Sequence, residues 1–149
     1  MGTRDRGTPR EAEALDAYLA LLRAAGSVAA RVQRHLVRHG LTTSQFGVLE
    51  ALHRLGPLCQ RDIARRLVQT GGNVTLVVRG LERRGLIERG RDPANRRFVT
   101  VQLSARGRRL ITSLLPRHAR AVSGEMETLG GKQFRVLTRL CDRLGRTKS

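Results

Sequence analysis

Between Thr70 and Leu103 the hydrophobic period changes from the spacing of a helix to the alternation of a strand, and this switch restricts the possible folds more than any other feature. Val74, Val77, Val78 and Leu81 recur at i, i+3, i+4 and i+7, which places them on one helical stripe and predicts their burial. Gly72, Thr75, Leu76, Arg79 and Arg83 point away from that stripe, with Asn73 at its margin and no carboxylate at the centre of the face. Gly85 stands where a C-terminal cap belongs. Leu86 to Arg89 then read as a short strand. From Phe98 to Leu103 the residues alternate, with Val99, Val101 and Leu103 on one face. Between the two strands, RGRDPANRR combines Gly, Pro and Asn with four arginines, which is turn chemistry with a basic tip. The stretch therefore predicts a helix followed by a basic hairpin, or wing. A helix with such an outer face suits the major groove of DNA, where Arg reads guanine and Asn reads adenine. The competing reading is an ordinary solvated face.

Upstream, residues 1–10 lack periodicity and read as a mobile basic arm. From Glu11 to about Arg38, Leu15, Leu19, Leu22, Ala25, Ala29, Val32 and Leu36 step by three or four, giving one long amphipathic helix that Gly40 stops. Thr42 and Gln45 form a capping box ahead of Phe46, Leu49 and Leu52, a second helix that ends at Gly56-Pro57. Cys59 then occupies an N-cap position, with Asp62 three residues on, before a short third helix with Ile63, Ala64 and Leu67 inside. The turn 68–71 joins it to the helix of the opening stretch. Two short helices across a tight glycine-containing turn, the second with a polar outer face, form a helix-turn-helix.

Downstream, Ser104 caps a helix carrying Leu110, Ile111, Leu114, Val122, Met126 and Leu129, with Pro116 expected to kink it or weaken one turn. Gly130-Gly131 interrupts the pattern before a last helix with Phe134, Leu137, Leu140, Cys141 and Leu144. Three long helices at the chain ends expose more apolar surface than one small winged domain can cover, so a core shared by two subunits is expected. The fold class is thus mainly α with a small β wing (α+β). A winged helix-turn-helix DNA-binding lobe at 41–104 joins a helical dimerisation lobe built from 11–40 and 105–146.

Charge narrows the partner. The 29 basic and 12 acidic residues leave +17, which demands a polyanion. Residues 61–109 hold thirteen Arg against Asp62, Glu82, Glu88 and Asp92, so the excess coincides with the reading helix and wing. No apolar run approaches a membrane span and no signal core opens the chain, which predicts a cytoplasmic, nucleoid-associated protein. Cys59 and Cys141 form neither metal spacing nor a disulfide framework, so no metal and no cofactor is expected. Nor do paired carboxylates or a nucleophile with its base converge. The one phosphate-loop echo, Gly131-Lys132, continues with Gln133. The chain reads as a non-enzyme.

The stretches LTTSQFGVLEALHRLGPL, GGNVTLVVRGLERRGLIER and DPANRRFVTVQLSARG together resemble the MarR family of bacterial transcriptional regulators, over about residues 12 to 145. That family usually carries Asp-x-Arg at the wing tip and then Leu-Thr-x-x-Gly. Here Asn95-Arg96-Arg97 replaces the first, and Leu103-Ser104-Ala105-Arg106-Gly107 keeps the second. The resemblance implies a homodimer on pseudo-palindromic DNA that represses nearby genes, with release by a small phenolic or other aromatic acid bound between the lobes.

The DNA-binding residues expected are Gln60, Arg61, Gly72, Asn73, Thr75, Leu76, Arg79, Arg83, Arg91, Asn95, Arg96 and Arg97. Asn73, Thr75 and Arg79 are read as base contacts, Gln60 and Arg61 as phosphate contacts at a helix start, and Arg96 and Arg97 as minor-groove arginines. His35, His39, Phe46, His53 and His118 are the candidate effector pocket. Cys59, at a helix start, is a candidate redox switch. Two alternatives stay open: a non-specific architectural DNA-coating protein, for which +17 suffices, and a thiol-based redox-sensing regulator.

Overall fold

The computed structural model describes residues 7–67 and 73–146. The elements in chain order are α1 (Pro9–Val37), α2 (Thr43–Leu55), β1 (Leu58–Cys59), α3 (Gln60–Leu67), α4 (Val74–Arg83), β2 (Ile87–Arg91), β3 (Val99–Leu103), α5 (Ala105–Glu125) and α6 (Gly131–Gly145). The mainly helical fold with a small β wing is as the sequence predicts.

Several boundaries differ from expectation, each for a local reason. α1 begins at Pro9, inside the expected mobile arm, because Thr8 and Glu11 form a capping box and Pro9 occupies the first turn, where its missing N–H costs nothing. α5 runs unbroken through Pro116. Pro116 and Thr112, whose carbonyl loses its partner N–H, are both exposed, so water replaces the lost bond and no break results. Its C-cap is Met126, so Met126 and Leu129 fall beyond the helix that was to carry them. The wing strands lie slightly later than predicted, at Ile87–Arg91 and Val99–Leu103.

A third strand was not foreseen. β1 is only two residues long, too short to show alternation, yet it pairs antiparallel with β3 through Leu58↔Val101 and Cys59↔Thr100. The sheet order is β1-β3-β2, so β3 is the centre. This explains why Thr100, placed on the outer face of the hairpin, is buried: β1 and β2 both flank it. Val99 is 41% exposed despite its apolar character.

One core unites the central elements. Leu36 and Leu41 from α1 and its exit, Phe46, Leu49 and Leu52 from α2, Ile63 and Leu67 from α3, and Val78 and Leu81 from α4 pack with Leu86, Ile87, Val101 and Leu103 of the sheet region. Ile111 and Leu114 close it from α5. Of the reading-helix stripe, Val78 and Leu81 are buried, whereas Val74 and Val77 pack at the margin. The chain ends are different. Leu36 is the only buried residue of α1, and α6 has none. Leu15, Tyr18 and Leu22 on α1 are 51%, 55% and 51% exposed, and Leu140 and Leu144 on α6 are 49% and 73% exposed. The two helices line an apolar groove of about 670 Å³, with Tyr18 and Leu21 on one side and Leu137, Leu140 and Cys141 on the other.

Candidate nucleic-acid interface

α4 is held by its own start. Asn73 is the N-cap, and its Oδ1 accepts the Thr75 and Leu76 N–H groups at 3.0 and 3.3 Å. This occupies the atom that an adenine contact would use as acceptor, leaving the amide nitrogen as the free half of the side chain. Gln60 at the start of α3 donates from Nε2 to Thr75 Oγ1 at 3.3 Å, so the two helices of the motif are bridged by residues that the sequence assigned to separate contacts. Thr75, Leu76, Arg79 and Arg83 are all exposed on the outer face, and Leu76 is 63% exposed. An exposed Leu on such a face has the apolar surface that a thymine methyl can meet. Arg61 is exposed at the start of α3. Gly72 and the turn 68–71 lie outside the described residues.

The wing tip is braced by its own polar atoms. Asp92 Oδ1 accepts Ala94 N at 2.8 Å and Asn95 Oδ1 accepts Arg97 N at 3.1 Å, both local turns that Asp and Asn form readily. Asn95 thus holds the tip with an amide oxygen where the family pattern has a carboxylate. Arg91, expected to contact DNA, donates from Nη1 to the Arg96 carbonyl at 3.1 Å and fixes the turn from below. Arg96 and Arg97 are exposed at the tip. The hairpin is anchored to α4 by Arg89 Nε to Glu82 Oε1 at 3.1 Å and stiffened by the cross-strand pair Gln102–Glu88 at 3.0 Å. Glu82 is therefore paired with a cation below the tip, and Glu88 is hydrogen-bonded to an amide. Sequence reading missed both pairings because they join residues seven and fourteen apart across a fold boundary.

The proposed effector residues divide. Phe46 and His118 stack with ring centroids 4.1 Å apart and planes tilted by 36°. Burial holds the His118 imidazole below its ordinary range, and repulsion from His35 adds to this against the opposing pull of Glu50. His35 lies 3.5 Å from Glu125, whose second oxygen meets Arg31 Nε at 2.5 Å; that bond, above all, holds the Glu125 carboxyl below its usual range. His53 and His118 each keep a buried Nδ1 without a protein partner. α1, α2 and α5 thus bring His35, Phe46 and His118 into one region. His39 is not part of it. It lines a separate recess with Arg84, Leu86 and Arg106, because α1 ends at Val37 and His39 falls in the turn that follows.

Cys59 ends β1 rather than capping α3 by accepting a backbone N–H. Its thiol donates to Asp62 Oδ2 at 3.2 Å. Cys141 lies on α6, and both cysteines are free. Among the described residues no His, Cys, Asp and Glu cluster has the makings of a metal site, and no helix is long and apolar enough to cross a membrane.

A helix-turn-helix whose second helix is exposed beside a basic β-hairpin defines the class of winged-helix DNA-binding proteins. The MarR family profile matches residues 39–97, from the entry to α2 to the wing tip. The uncharacterized HTH-type transcriptional regulator YkoM of Bacillus subtilis (strain 168) is 36% identical over 115 residues, 74% of this chain and 75% of the relative. The chain belongs to the MarR family of DNA-binding transcriptional regulators. Two solved structures extend the likeness. BpsR of Bordetella bronchiseptica, described for regulation of its DNA binding by 6-hydroxynicotinic acid, superposes with TM-score 0.74 at 26% identity, over 87% of this chain and 92% of that one. Sco3205, a MarR family regulator of Streptomyces coelicolor in complex with DNA, shares the fold with TM-score 0.78 at 20% identity, over 96% and 91%.

Proposed function

We propose that this chain is a homodimeric, sequence-specific repressor of nearby genes, acting in the cytoplasm on a pseudo-palindromic operator and released by a small phenolic or aromatic acid. The observation that carries the reading is the pairing of exposed Thr75, Leu76 and Arg79 on α4 with exposed Arg96 and Arg97 on the wing. Arg79 would read guanine in the major groove, Thr75 and the amide of Asn73 would reach neighbouring edges, and Gln60 and Arg61 would grip the backbone. Arg83 and Asn95 flank these contacts, and Arg91 supports them by bracing the tip. Arg96 and Arg97 would enter the adjacent minor groove.

Dimerisation is argued from α1 and α6. Their apolar rows are too exposed for a stable monomer, and an isologous pairing would cover both at once. Residues 11–40 and 105–146 would then form the dimerisation lobe and 41–104 the reading lobe, with half-sites about one helical turn, ~10 bp, apart. For the effector, the region of Phe46, His118 and His35 joins both lobes and offers a ring surface beside the His118 imidazole, whose buried Nδ1 has no protein partner. That chemistry suits a hydroxylated aromatic acid, the class of ligand described for BpsR.

The test is duplex binding at several salt concentrations, using the gene's own upstream region and a random duplex of equal length. A specific regulator favours its own site by at least ~1,000-fold. Arg79→Ala should flatten this preference. Arg97→Ala should weaken both duplexes and lower the salt slope by about one. Equal affinity for both duplexes would establish the architectural alternative instead.

A further inference from the structure

Away from the reading face, His39, Arg84, Leu86, Arg106, Arg109, Leu110 and Ser113 line an open surface recess of about 390 Å³, with the three arginines exposed. Its walls come from the turn after α1, the end of α4 and the first turns of α5. The geometry points to a binding site for a small, multiply charged oxyanion such as a phosphate group.

Three observations support this assignment. First, the recess is cationic without compensation. None of its lining residues is acidic, and Arg84, Arg106 and Arg109, like most arginines of the chain, form no ion pair among the described residues. Second, Arg84 is fixed in place. Its Nη1 donates to the Gly40 carbonyl at 2.6 Å, and a Cβ on Gly40 would lie 3.3 Å from its Nη2. Gly40 has φ +70°, so glycine serves both the left-handed turn and the close approach. Arginine held in this way presents a planar fork already oriented for a bidentate oxyanion. Third, Arg106 and Arg109 stand in the first turns of a long helix that has no acidic residue in its first turn, where cations oppose the helix dipole. Such an arrangement is unfavourable alone and becomes favourable around an anion.

The operator does not supply that anion. Asn73 and Arg84 are at opposite ends of α4, ~16 Å apart at the helical rise. The cross-strand pair Ile87↔Leu103 lies four steps, ~14 Å, from the Arg91↔Val99 pair below the wing tip. The recess is thus at the far end of both reading elements and faces the junction with α1 and α5. An anion bound there would tie α4 to both helices. Its consequence for DNA binding rests on the regulator reading above, but the binding of the anion does not.

The experiment is thermal melting of the full chain at pH 7.5 in increasing sodium phosphate, against sodium chloride at matched ionic strength. Wild type is compared with Arg106→Gln/Arg109→Gln and with Arg117→Gln/Arg120→Gln, which removes the same charge from exposed positions further along α5. The expected result is a saturable phosphate-dependent rise in Tm in wild type and in the Arg117/Arg120 variant, lost in the Arg106/Arg109 variant. In chloride the latter should melt no lower than wild type, since it sheds repulsion and no ion pair. An equal rise in all three proteins means a general salt effect and overturns the assignment, as does the absence of any rise in wild type. A wild type without a saturable rise whose Arg106/Arg109 variant loses about two from the salt slope of operator binding would assign these arginines to DNA backbone phosphates. Loss of operator preference with the phosphate response intact would sink the regulator reading and leave the anion site standing.

Discussion

Gly107 marks the contact on which the arrangement of wing and α5 depends, and Gly107→Ala tests it. A Cβ built there would lie 1.9 Å from the Leu86 carbonyl oxygen. Relieving this to the ~3.3 Å at which carbon and oxygen ordinarily touch requires α5 to retreat by roughly 1.4 Å. The retreat lifts Ile111 and Leu114, 0% and 2% exposed, off the core. It also strains two bonds that seat the helix, Ser104 N to Leu86 O at 3.1 Å and Ser104 Oγ to Gly85 O at 2.6 Å. Overpacking costs ~1–3 kcal/mol and the two bonds ~1 kcal/mol each, against a gain of ~1 kcal/mol from replacing Gly by Ala in a helix. The net loss of about 2–4 kcal/mol corresponds to a fall in Tm of about 5–15 °C for a chain of this size. Differential scanning calorimetry at fixed protein concentration measures it. Gly124→Ala is the control, since a Cβ there meets nothing within 4 Å on the same helix. It should raise stability by up to ~1 kcal/mol. If Gly107→Ala melts with or above Gly124→Ala, the close approach of α5 to Leu86 is not a stabilising constraint and the reasoning fails.

Asn73→Ala should cost ~1 kcal/mol through loss of the α4 cap and weaken operator binding together with stability, whereas Asn73→Ser should restore stability first; chemical denaturation alongside duplex titration separates the two effects. Leu140→Asp should shift the chain from dimer to monomer in sedimentation experiments, because Leu140 is 49% exposed in the α1–α6 groove and a two-fold pairing would bury the carboxylate twice; an unchanged dimer would move the interface elsewhere. The His118 imidazole binds its proton less readily folded than unfolded, so its contribution to stability is present above pH ~6.5 and is lost as pH falls below it. His118→Gln should therefore narrow the drop in Tm between pH 7.5 and pH 5.5, while Glu125, lowered by Arg31, contributes only to a separate loss in more acidic solution. Parallel Tm profiles for wild type and His118→Gln would remove that assignment.

Much of the reading lobe is visible in the residues themselves because its signals are local. A helical stripe at Val74 to Leu81, a capping box at Thr42 and Gln45, and a basic turn between alternating strands each fit within one or two turns of chain. The wing tip was equally legible, since Asp92 and Asn95 bond to backbone two residues away. β1 was not, because two residues carry no period and only pairing with β3 makes them a strand. The grouping of the effector candidates was not legible for a similar reason: histidines carry no mark of mutual distance, and His39 lines the Arg84 recess.

The sequence by itself determined where helices and strands form, which face of α4 is left polar, and that a basic wing follows, since these depend on spacing, caps and charge over a few residues. Only the tertiary structure decided that Gln60 bridges to Thr75, that the Gly40 carbonyl holds Arg84, and that a Cβ at Gly107 would collide with Leu86. Those outcomes rest on distances between segments far apart in the chain, such as Arg31 and Glu125 or Arg84 and Gly40, and packing sets such distances where local propensity does not.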